Sequence, residues 1–229
     1  LLGVISDVGF AMHKEEDSEN EVLDAGLQLV RHIRQDDPMM PVLLQSSQGS
    51  IAEVAQELGV GFLEKYSKTL MLQLSDYIKE EFGFGDFIFR DSDHIEYGRA
   101  SNLKELETLV RTVPEDVLLR ATSKNMLSKW FYARGLFTLG SKVKDVQESH
   151  FPTVPAMRAY VSQLIHDFHA LMGRGVIAHF DMDNYGRHIW FSRMGEGSIG
   201  GKARGLAFLN TLVYKHKLAD KYPGVRISI

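Results

Sequence analysis

The chain contains no cysteine. Disulfide frameworks, thiolate nucleophiles and cysteine-ligated zinc are therefore excluded, and a reducing, cytoplasmic setting is expected. No apolar run approaches the roughly 20 residues that span a bilayer, and no signal peptide is visible at the start. Neither sign of charge dominates, since 26 Lys and Arg stand against 30 Asp and Glu for a net charge of -4. That balance offers no electrostatic case for nucleic acid or an anionic membrane. Internal repeats and low-complexity stretches are also missing. What remains is 229 residues with 44% hydrophobic content, enough for one large domain or two small ones.

The first third alternates short apolar runs with helical periodicity. Leu2–Ser6 reads as a buried parallel strand that opens with neither methionine nor cap. Residues 20–35 place Val22, Leu23, Ala25, Gly26, Leu29, Val30 and Ile33 on one helical face. Pro41–Gln45 is a second strand, set off by Pro38 and Pro41. Ser50 is placed to cap a helix bearing Ile51, Val54, Ala55 and Leu58. Phe62–Glu64 forms a third strand, followed by a helix with Leu70, Leu72, Leu74, Tyr77, Ile78 and Phe82. This β-α-β-α-β-α order predicts a parallel sheet with right-handed crossovers.

The middle third is helical, apart from a short strand at Phe87–Phe89. A helix starts at Ser101-Asn102, another follows Pro114, and two longer amphipathic helices are expected over 126–146 and 155–173. In the last third, Val176–Phe180 and His188–Phe191 are expected to form a hairpin around Asp183-Asn184-Tyr185-Gly186. A glycine-rich loop over 195–201 leads into a helix carrying Leu206, Leu209, Leu212 and Val213, and a final strand covers Val225–Ile229. The bare strands at both ends give the expectation that the sequence is cut from a longer protein.

Asp7, Ser46 and Lys65 each follow or end one of the three strands. In an open parallel sheet these carboxyl ends share one crevice. There a carboxylate could accept a phosphoryl group, while an ammonium and a hydroxyl hold its oxygens. The bland alternative makes Asp7 a loop residue and Lys65 a surface charge. Gly3-Val4-Ile5-Ser6-Asp7, Pro41–Ser47 and Phe62-Leu63-Glu64-Lys65 resemble strands three to five of a response-regulator receiver domain. The resemblance implies a truncated flavodoxin-like sheet over residues 1–84, with Asp7 as phosphoacceptor, Ser46 as switch hydroxyl and Lys65 as the phosphate-contacting lysine. It also implies magnesium and a histidine kinase or other phosphodonor. Two departures stand out: the family's acidic metal-binding pair is missing, so magnesium should bind poorly, and Tyr66 replaces the usual proline. An uncovered sheet edge is an aggregation hazard unless another chain covers it, which makes a second copy a candidate partner through this module.

Gly197, Gly200 and Gly201 free backbone N–H groups to face an anion at a helix start, beside Lys202 and Arg204. The loop is no Walker A motif, and on local chemistry alone an ordinary glycine-rich turn is favoured. The longer string Gly197–Leu209 resembles the opening of the nucleotide-binding domain of phosphoenolpyruvate synthase and pyruvate phosphate dikinase. That likeness implies an ATP-grasp-like domain beginning in 175–229, with Gly200, Gly201, Lys202 and Arg204 near nucleotide phosphates. Ser128–Gly135 resembles the helical linker of such proteins, which would span residues 85–174. The implied parent reaction uses ATP, magnesium and pyruvate and passes a phosphoryl group through a histidine. This chain alone would then be inactive, a regulatory and nucleotide-binding portion; the alternative is a receiver or docking module with no kinase function. His166 and His169 suggest no metal site without a third ligand, and Lys14–Glu19 reads as a solvated charge run.

Overall fold

A computed structural model describes residues 1–10, 24–144, 146–180 and 190–226. The chain divides into two compact units, Leu1–Met157 and Arg158–Ile229. Together they make a mixed α/β protein with a small parallel three-stranded sheet and many helices.

In the first unit, β1 (Val4–Asp7), β2 (Val42–Ser46) and β3 (Gly61–Glu64) lie in the order β1-β2-β3, both pairings parallel. Helices α1 (Ala25–Asp36), α2 (Ile51–Glu57) and α3 (Leu70–Glu81) follow the successive strands. Val42 and Leu44 point from the central strand into a core with Leu27 and Val30 of α1 and Ala55 of α2. Leu43 lies on the opposite face, where a Cβ on Gly61 would meet both Leu43 and the Tyr77 ring of α3. Period-two alternation in one strand thus sends side chains to helices on both faces of the sheet. The expected helix stripes need adjusting. Leu27 rather than Leu29 is buried in α1, and Leu72 of α3 is 61% exposed. Ser50 sits at the N-cap of α2 but has helical backbone angles and makes no side-chain cap bond.

Strands β4 (Phe87–Arg90) and β5 (Glu96–Ala100) form an antiparallel hairpin. Its turn closes on Asp91, whose carboxylate accepts from the Asp93 and Ile95 amides at 2.9 Å each. Helices α4 (Leu103–Thr112), α5 (Glu115–Ser123), α6 (Met126–Ala133) and α7 (Phe137–Lys144) complete the unit. The α4 start forms a reciprocal capping box. The Asn102 side chain accepts from the Glu105 amide at 3.0 Å, and Glu105 accepts from the Ser101 amide at 2.8 Å. The single helix expected over 126–146 is two helices. Gly135, with φ of 71°, takes the left-handed conformation that closes α6 before α7 begins.

Phe87 and Phe89 of the hairpin pack edge-on at 4.6 Å, and Phe87 meets Trp130 of α6 at 6.3 Å. Phe82, Phe87 and Phe89 are buried as a packing role requires, whereas Phe84 is exposed. Trp130, 1% exposed, donates from its indole Nε1 to the Gly85 carbonyl at 3.1 Å. Arg134 stacks 3.6 Å over the same ring and donates to the Gly83 and Gly85 carbonyls at 2.8 and 2.9 Å. Burial lowers the proton affinity of this guanidinium. These contacts latch α6 onto the turn that follows α3.

Helix α8 (Val154–Gly173) contains the boundary between the units, and Val161 and Ile165 on it are fully buried. The second unit also holds β6 (Ile177–His179), β7 (Phe191–Arg193), α9 (Gly201–Lys215) and α10 (Leu218–Lys221). β6 and β7 pair parallel, which overturns the expected hairpin. Alternating apolar residues specify a strand's faces but not its direction. The turn residues that argued for a hairpin, 183–186, lie outside the described residues, as do Lys14–Glu19 and the last three residues of the expected terminal strand. On α9, Leu206 and Leu209 are 47% and 49% exposed, so the anticipated buried stripe reduces to Ala207. Among the described residues no helix is long and apolar enough to cross a membrane.

Candidate functional site

The parallel register places Asp7 opposite Gln45 and Ser46 opposite Glu64, so the three strand tips end at one rim. Asp7 and Lys65 meet there: the Lys65 Nζ lies 3.1 Å from Asp7 Oδ2, with the two side chains 45% and 40% exposed. The backbone holds this geometry. The Val8 amide donates to the Gln45 carbonyl at 3.1 Å, and the Lys65 amide donates to the Ser46 carbonyl at 2.9 Å. Ser46 is buried at 8% exposure, and its Oγ accepts from the Gln48 amide at 3.1 Å. The hydroxyl is thereby committed to its own loop, while the Asp7–Lys65 pair faces solvent.

One close approach fixes the Asp7 exit. The Gly26 amide donates to the Val8 carbonyl at 2.8 Å, and a Cβ on Gly26 would lie 2.3 Å from the Asp7 carbonyl oxygen. Only glycine lets α1 begin this near the strand. Sequence periodicity placed Gly26 on a helical face but gave no hint of this contact.

An exposed carboxylate beside an ammonium can exchange that partner for a new group with little loss, because such pairs contribute only about 0–1 kcal/mol. Asp7 could act as an oxygen nucleophile, and Lys65 could neutralise oxygens arriving on it. The donor set does not fit a resident magnesium ion. Of the three rim residues Asp7 alone has a carboxylate, and it is already paired with Lys65. Among the described residues no cluster of three His, Asp or Glu could hold a metal ion.

The glycine loop is a separate structure in the second unit. Gly195 and Gly197 have φ of 85° and 96°, conformations that suit glycine, and the Arg193 guanidinium donates to the Gly197 carbonyl. Gly200 is the N-cap of α9 and offers no side chain to the helix, so the first amides of α9 keep their donors open. A Cβ at Gly200, Gly201 or Gly205 would meet nothing within 4 Å. Lys202 and Arg204 are exposed on the first turn, and neither forms an ion pair among the described residues. This arrangement can receive an anion from solvent.

A third feature had no signal in the sequence. A cleft of about 510 Å³ in the first unit is lined by Arg34, Tyr77, Lys124, Lys129 and Trp130, among others. Its cations come from places in the chain too far apart for a local motif to reveal. Comparison with protein-family models, with curated proteins and with solved structures finds no match to this chain.

Proposed function

We propose that the chain is a receiver-like regulatory module joined to a nucleotide-phosphate-binding segment of a phosphotransferase resembling phosphoenolpyruvate synthase, and that it does not turn over by itself. The observation that carries this reading is the 3.1 Å pairing of Asp7 and Lys65 across the carboxyl ends of β1 and β3, the two strands that flank β2. The strand order and the helices on both faces suit a flavodoxin-like sheet. The open glycine cap beside Lys202 suits contact with ATP phosphates at the start of an ATP-grasp-like domain.

In this reading the Asp7 carboxylate oxygen attacks the phosphorus of an acyl phosphate. A new P–O bond forms, the donor's bond to the same phosphorus breaks, and the carboxylate of the acyl group departs with the electron pair. Lys65 leaves its ion pair to face the oxygens of the transferred group. The cytoplasm is the setting such a donor requires.

A second reading, a docking module that exchanges no phosphate, is favoured because, of Asp7, Ser46 and Lys65, Asp7 alone carries a carboxylate and it is already paired with Lys65. Acetyl phosphate with magnesium chloride in the buffer separates the two. The first reading expects one acid-labile phosphoryl group by intact mass, absent from Asp7→Asn. Labelling that persists in Asp7→Asn removes Asp7 from the role, and a wild-type chain that takes up no phosphate leaves the docking reading.

A further inference from the structure

The cleft of about 510 Å³ in the first unit lies between the end of α1, the 38–42 segment, the last turn of α3, β4 and the start of α6. It is distinct from the Asp7 rim and the glycine loop, none of whose residues line it. Its charge is lopsided. Arg34, Lys79, Arg90, Arg120, Lys124 and Lys129 are cationic, against Glu80, Glu81 and Asp86. Two to one would be unremarkable in a basic protein, but this surplus sits in a chain of net charge -4.

The cations differ in how far they are already occupied. The Arg34 guanidinium donates to the Met40 and Gly59 carbonyls at 2.7 and 3.0 Å. Arg90 lies 3.7 Å from Glu80, and Lys79 lies 3.9 Å from Asp76. Arg120, Lys124 and Lys129 have no carboxylate within ion-pair distance among the described residues. Lys129 is the telling one. It is half-buried, and burial lowers its proton affinity more than Glu81 and Asp37 restore it, with Arg34 and Lys124 lowering it further. A half-buried ammonium with no carboxylate in ion-pair contact costs stability, and an arriving anion would offset part of that cost.

Apolar side chains share the lining: Met39, Met40, Val42, Ile88 and Met126 face the same space, and methionine adapts its shape to irregular ligands. A volume of this size suits a small molecule rather than a bare ion. We propose that this cleft binds a small organic phosphate, its anionic head beside Lys129, Lys124 and Arg120 and its apolar body along the methionines. The inference stands independently of the phosphotransferase reading.

Phenyl phosphate, titrated into the full chain and followed by calorimetry, is the probe. Saturable binding tighter than that of inorganic phosphate is expected. Lys129→Gln should weaken it by roughly tenfold, the worth of one charge-assisted hydrogen bond. Because Lys129 is half-buried, circular dichroism checks that variant's fold, and the exposed Lys124→Gln supplies a second loss that does not depend on it. Lys202→Gln and Asp7→Asn should bind as the wild type does. Absence of saturation, equal affinity in both lysine variants, or a loss confined to Lys202→Gln would each overturn the assignment.

Discussion

Replacing Trp130 with phenylalanine tests the latch between α6 and the turn after α3. The substitution keeps a ring under Arg134 but removes the Nε1 donor to Gly85 and part of a side chain that is 1% exposed. Roughly 40 Å³ of side chain disappears, and at about 24 cal/mol per Å³ the void costs about 1 kcal/mol. The lost hydrogen bond adds about 1 kcal/mol, at the low end because Gly85 keeps its bond from Arg134 at 2.9 Å. The total of about 2 kcal/mol, at a urea slope of about 2 kcal/mol/M, moves the midpoint down by roughly 1 M. Far-UV circular dichroism is the appropriate readout, since the substitution removes one of the two tryptophans. Arg134→Met alone leaves Gly85 with the Trp130 donor. The double variant leaves that carbonyl with neither side-chain donor, so its loss should exceed the sum of the singles by about 1 kcal/mol. Additivity within about 0.3 kcal/mol would refute a shared carbonyl as the centre of the latch.

Two further outcomes follow from close contacts. Gly26→Ala gains about 1 kcal/mol of helix propensity but drives a Cβ to 2.3 Å from the Asp7 carbonyl, so a net loss of roughly 1–2 kcal/mol is expected in thermal unfolding; any stabilisation would show that α1 can move away freely. The Tyr77 phenol donates to the Val42 carbonyl at 2.8 Å, and its pKa is pushed up to about 12, by burial first and by Glu81 second. The unfolded chain loses this proton near pH 10 while the folded chain keeps it, so the contribution is whole below that pH and drains away towards pH 12. The wild type's advantage over Tyr77→Phe, up to about 2 kcal/mol after allowance for solvent, should therefore shrink across that interval in urea titrations; a constant difference would contradict it.

The sequence displayed the first three strands clearly because each is a short apolar run whose polar neighbour falls at its carboxyl end. Parallel pairing brings the ends of β1 and β3 to one rim on either side of β2, and the long Lys65 side chain spans the gap to Asp7. Strand β5 was not legible, since Glu96-Tyr97-Gly98-Arg99 is polar or exposed and only Ala100 is buried. The break at Gly135 was hidden because the apolar period runs on past it. Ser50 carries the right side chain for a cap, but helical backbone angles at that position turn its oxygen away from the task. The basic cleft was invisible for a different reason. Its cations run from Arg34 to Lys129, and only tertiary packing assembles them.

Helix α1 begins against the Asp7–Val8 backbone through Gly26 and ends with Arg34 gripping carbonyls at the mouth of the cleft. Eight residues of helix, roughly 12 Å, separate those two grips. A rod anchored at both ends has little freedom to absorb a displacement within itself. A shift of the backbone behind the aspartate would, on this geometry, be carried along α1 to the guanidinium at its far end.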